Sequence, residues 1–104
     1  LRAQRGAAAA LLSGVTEAQA GRKPEPDAWS IKQVLGHLID TERLFVFRAL
    51  WFARGEQRKL PGMEPDPWVA LAGFDNRPLA ALFDELDHVR AATVHFFEAL
   101  DEPA

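Results

Sequence analysis

The stretch Trp29-Ser30-Ile31-Lys32-Gln33-Val34-Leu35-Gly36-His37-Leu38-Ile39-Asp40-Thr41-Glu42-Arg43 decides how this chain is read. Ser30 followed three residues later by Gln33 forms a capping box, in which each side chain satisfies a backbone N–H at a helix start. Trp29 before the cap and Val34 four residues after it have the spacing of a hydrophobic staple. The apolar residues that follow recur at helical spacing, and the pattern predicts a helix from Ile31 to about Arg54, stopped by Gly55. Within this segment, built to be buried, stand one histidine, His37, and one glutamate, Glu42.

Outward from this helix the punctuation is clear. Leu1 to about Ala20 is predicted as a first helix, with Leu1, Ala8, Leu11, Leu12 and Val15 near helical spacing and Gly6 and Gly14 as weak points. Pro24 and Pro26 mark a loop. Residues 56–76 contain Pro61, Gly62, Pro65, Pro67 and Gly73 and read as a long connection. Asp66-Pro67 can start a short helix within it, reaching about Ala72. Asn76 can cap a third long helix, with Pro78 in its first turn, running to about Leu100. No strand, repeat or low-complexity tract interrupts this all-α pattern.

At about 100° per residue, Ile31, Leu35, Leu38, Phe45, Ala49 and Phe52 share one stripe of the second helix, with Glu42 near its middle. Leu79, Leu82, Phe83, Leu86, Phe97 and Leu100 share a stripe of the third, with Arg90 near its middle and Thr93 beside it. A lone charge in a core is too costly to persist unpaired, so Glu42 and Arg90 are expected to pair across the interface. The alternative is that both reach solvent on their long stems. His37 lies on the flank of its stripe in line with Thr41, Leu44 and Arg48. It reads as either a partly buried, hydrogen-bonded histidine or a ligand in a groove. His88 and His95 share an outward face about 10 Å apart, too far to hold one metal together. Phe47 and Trp51 lie off the main stripe and are expected to pack on the first helix or on something outside this chain.

Composition narrows the function. The 104 residues suffice for one domain. There are 12 basic and 15 acidic residues, a net charge of −3, and no basic run, which argues against nucleic-acid binding. No cysteine is present, so disulfides, thiolate catalysis and cysteine zinc sites are excluded; this fits a cytoplasmic protein. No apolar stretch approaches the length of about 20 residues that a membrane span needs. Arg2, Arg5, Ala7 to Leu12 and Ala18-Gln19-Ala20 have the outline of a secretory signal, but the run is short and mostly alanine, the best helix former. The start at Leu1 and the stop just after a strong helix read as part of a longer polypeptide, a single domain incomplete at its C-terminus.

The run from Trp29-Ser30 through Gly36-His37-Leu38 to Glu42 and Arg48 resembles the DinB-like superfamily of bacterial proteins. Ala53-Arg54-Gly55, Leu60-Pro61-Gly62, Trp68-Val69 and Val89-Arg90-Ala91-Ala92-Thr93 support the likeness, which covers about Leu12 to Leu100. The resemblance implies an up-down-down-up four-helix bundle with a long crossover, of which this chain carries three long helices. It also implies homodimers and a divalent metal, nickel or zinc, bound by three histidines. One of these has the position of His37. The other two belong to an H-x-x-x-H motif on a fourth helix, and that motif is absent here.

Two functions follow as expectations. The first is a metal-dependent enzyme of the thiol-dependent S-transferase or hydrolase type, its metal making a nucleophile of a bound water or thiol. In that reading a fourth helix completes the site, His37 is a ligand, and Thr41 and Arg48 bind a small-molecule thiol or electrophile. The second is a non-catalytic helical module for binding or assembly. An H-x-x-x-H helix encoded after Ala104 would favour the first.

Overall fold

The computed structural model describes residues 14–101. These form α1 (Glu17–Ala20), α2 (Ile31–Ala53), α3 (Pro65–Ala72), a 3-10 turn (Phe74–Asn76) and α4 (Leu79–Asp101). No strand occurs among the described residues. The class is all-α.

α2 starts where its sequence says it should. Ser30 Oγ accepts from the Gln33 N–H at 3.1 Å, and Gln33 Oε1 accepts from the Ser30 N–H at 3.0 Å. The helix ends at Ala53, just before Gly55, whose φ of +81° only glycine adopts at no cost. The expected first helix differs. Gly14 to Thr16 are not helical, and Thr16 caps the single turn α1 through its own capping box with Gln19. A capping side chain competes with helix continuation. Leu1, Ala8, Leu11 and Leu12, and the apolar part of the signal-like stretch, lie outside the described residues. α3 begins two residues earlier than expected, with Glu64 rather than Asp66 at its cap position. Asn76 closes the 3-10 turn and does not cap α4. Instead the Leu79 N–H donates to Glu17 Oε1 at 2.6 Å, so a side chain from α1 satisfies an orphan donor of α4.

α2 and α4 run parallel. Ser30 Oγ donates to Asp75 Oδ1 at 2.5 Å, and further along Arg43 pairs with Glu85 at 2.5 Å. Later residues of one helix therefore meet later residues of the other. A parallel pair needs a chain that returns along its full length, and the segment bearing α3 supplies it.

The core joins Ala20, Leu35, Ile39, Val69, Phe74, Leu79, Leu82 and Leu86. Gly36 lets Phe74 lie directly on α2: a Cβ there would sit 2.3 Å from three carbons of the ring. The stripe expected on α2 is only partly the buried one. Leu35 is buried, but Leu38, Phe45 and Phe52 are 41%, 64% and 64% exposed, whereas Ile39, outside the expected stripe, is 1% exposed. α2 is apolar on more than one face, and the line through Leu35 and Ile39 meets α4 and Phe74. On α4 Leu79, Leu82 and Leu86 of the stripe are buried and Phe83 is partly buried, but Phe97 and Leu100 are exposed.

Candidate functional site

His37 is partly buried on the face of α2 away from Ile39. Its ring tilts against Trp29, with centroids 4.9 Å apart, and its Nε2 lies 3.4 Å from Thr41 Oγ1 one turn later. Trp29, expected to staple onto Val34, instead forms one wall beside the imidazole, and Val34 is exposed. Val34, Leu38, Phe45 and Phe52 on the same helix are exposed. The result is one imidazole and one hydroxyl at the edge of an uncovered apolar face.

Arg48 does not join His37 in a shared contact. Its Nη2 donates to the Pro61 carbonyl at 3.5 Å, tying α2 to the connection. Trp51 serves the same end: its Nε1 donates to the Arg58 carbonyl at 2.9 Å, and the Arg58 guanidinium lies 5.1 Å from its ring. Phe47 packs on Trp51 with centroids 5.7 Å apart. These off-stripe aromatics therefore contact the crossover connection and each other.

Glu42 and Arg90 meet across the α2–α4 interface, Arg90 Nε donating to Glu42 Oε1. The Thr93 hydroxyl lies 2.9 Å from the other oxygen of Glu42 and 2.9 Å from the Val89 carbonyl. Both carboxylate oxygens are thus engaged, which suits a structural clamp better than a proton-transfer group. His88 and His95 are exposed on α4, and His88 Nδ1 lies 2.6 Å from the Asp84 carbonyl. With a carbonyl as partner, Nδ1 carries the proton.

Charge pairs that the sequence left unnoticed brace the frame. Lys32 is 9% exposed at its side chain and is held by Glu17 at 2.7 Å. The hydrogen bond from Lys32, then that from the Leu79 N–H, hold the Glu17 carboxyl below its usual range. Glu85 accepts from both Arg43 and Arg77. Burial pushes the Glu85 carboxyl up, but the two guanidinium hydrogen bonds outweigh it and its pKa is lowered. Asp40 is shifted the other way, because burial disfavours its charged form more than the Arg43 charge favours it.

A catalytic zinc needs about three protein ligands. Among the described residues no group of three or more His, Asp or Glu side chains could hold an ion. His37 can offer one donor, but the described residues alone do not fit a three-ligand site.

The sequence pattern of the DinB superfamily matches residues 1–104, and the chain belongs to that superfamily. No curated protein and no solved structure matches it. Among the described residues no helix is long and apolar enough to cross a membrane.

Proposed function

We propose that this chain is a helical assembly module of the DinB superfamily, working as a homodimer whose contact is the apolar face beside His37. The observation that carries this reading is the exposure of Leu38, Phe45 and Phe52 along one face of α2. Large apolar groups gathered on one face mark interaction surfaces on soluble chains. A further helix on that face would extend the parallel pair toward the up-down-down-up bundle, as part of the same domain. Light scattering on purified protein should give twice the chain mass of 11.5 kDa. Phe45→Glu should return it to a monomer that keeps its helical circular dichroism. A monomeric wild type at all accessible concentrations would overturn the proposal.

A second reading, a metal-dependent transferase or hydrolase, is favoured by His37 and Thr41 standing together at that face. A docked helix bearing histidines would complete the ligand set. The bound nickel or zinc would then supply a nucleophile from water or a thiol. The described residues supply only His37, so no catalytic step is assigned to them. Elemental analysis of the assembled protein tests this reading. About one nickel or zinc per chain, lost in His37→Ala, supports it; metal content unchanged by that substitution counts against it.

A further inference from the structure

A shallow groove lies between α2 and α3. It is open to solvent, has a volume of about 240 Å³ and is lined by Asp40, Arg43, Leu44, Phe47 and Trp68, so α2 forms one side and α3 the other. Its walls are one leucine and two aromatic rings, both half-exposed. Its charged groups are one guanidinium and one carboxylate. The guanidinium is engaged: Arg43 Nη1 donates to Glu85 Oε2 at 2.5 Å, and Glu85 also holds Arg77 at 2.7 Å. The Asp40 carboxylate accepts no hydrogen bond among the described residues, although the charge of Arg43, and then those of Glu85 and His37, act on it. Burial already disfavours the charge on Asp40.

A partly desolvated carboxylate with free lone pairs wants N–H donors. Aromatic faces attract cations through their quadrupole, and more strongly as water is removed. An anion entering this groove would meet the carboxylate. A neutral apolar molecule would bury it further with no donor in exchange. A protonated alkylamine suits the carboxylate and the rings, and the Arg43 charge that it would meet is already paired with Glu85. We propose that the groove between α2 and α3 binds the ammonium head of a small alkylamine, its N–H groups on Asp40 and its chain against Leu44, Phe47 and Trp68. This site takes Leu44 from the His37 line of α2 but neither His37 nor Thr41, and it requires neither a metal nor a dimer contact there.

The test is titration of the full chain with n-butylammonium, following the Trp68 indole N–H by NMR, with its resonance assigned from Trp68→Leu. A saturable shift is expected, with 1-butanol weaker by at least about tenfold, since both ion pairing and cation–π attraction are lost. Asp40→Asn should weaken butylammonium by a similar factor, and His95→Ala, on the exposed face of α4, should leave it unchanged. Equal binding of 1-butanol, or no saturable shift at all, overturns the proposal using wild-type protein alone. Undiminished binding to a folded Asp40→Asn protein does the same.

Discussion

Gly36 and the pair Glu42–Arg90 show how single residues set this interface. At Gly36 the side chain is absent because the Phe74 ring occupies its place. Gly36→Ala should gain about 1 kcal/mol of helix propensity. It should lose about 1–3 kcal/mol to overpacking, so the net change is expected to be destabilising. A lowered thermal midpoint checks this; a raised one would show that Phe74 moves aside freely. Glu42 and Arg90 are both partly buried, with side chains 12% and 23% exposed. Glu42→Ala leaves the guanidinium half-buried and should cost about 1–3 kcal/mol, less than for a fully buried pair. Replacing both residues by leucine should come within about 1 kcal/mol of the parent, because the desolvation cost disappears along with the attraction. Urea unfolding of the two variants decides the matter. If the double variant is as unstable as Glu42→Ala, the pair contributes more than mutual cancellation. The pairing was legible from the sequence, because opposite charges stood at mid-length of two apolar stripes. The role of Gly36 was not, because Phe74 lies in a connection whose path no periodicity describes.

At the scale of elements, the helix starts are local and the joints between helices are not. The α2 capping box lies within four consecutive residues, and the sequence placed it correctly. The α4 start depends on Glu17, far away in the chain, which also neutralises buried Lys32. This joint has a pH signature. The Glu17 carboxyl is held below its ordinary value of 4.5 by Lys32 and then by the Leu79 N–H. Its folded pKa is thus lower than its unfolded one. The stabilisation is fully present above the unfolded value and is lost as pH falls through the folded one. Asp40 acts in the opposite sense: its raised pKa means that protonation on acidification relieves a cost of folding. Stability measured by urea from pH 7 down to pH 3 should fall on the acid side of 4.5, and Glu17→Gln should flatten that fall. An identical acid limb in the variant would remove Glu17 from this role.

At the scale of the whole molecule, the radius of gyration is 15.7 Å, larger than the 13 Å or so typical of a compact domain of about 100 residues. The shape is long because α2 and α4 lie side by side over most of their length, and their C-terminal halves leave phenylalanines uncovered. If a second copy covers them, folding and association are linked, and the thermal midpoint must rise with protein concentration. Scanning calorimetry over a hundredfold range of concentration should show that rise in the parent and none in Phe45→Glu. A concentration-independent midpoint in the parent would mean that the face stays open in solution.

The sequence alone was enough for the all-α class, the start and stop of α2, the approximate span of α4 but not its cap, the connection between them, the Glu42–Arg90 pairing and the likeness to the DinB superfamily. Each depends on short-range chemistry or on a periodicity that one chain displays in full. Which face of α2 is buried was decided only by the tertiary structure. α2 is apolar over a wide arc, so its own pattern is satisfied by more than one orientation. The choice of Ile39 over Leu38 and Phe45 was made by α4 and by a ring seated on Gly36. The same packing left His37 at the edge of an open apolar surface and put Asp40 in a groove with two aromatic rings. Such juxtapositions arise between elements distant in the chain, and no reading of one helix alone contains them.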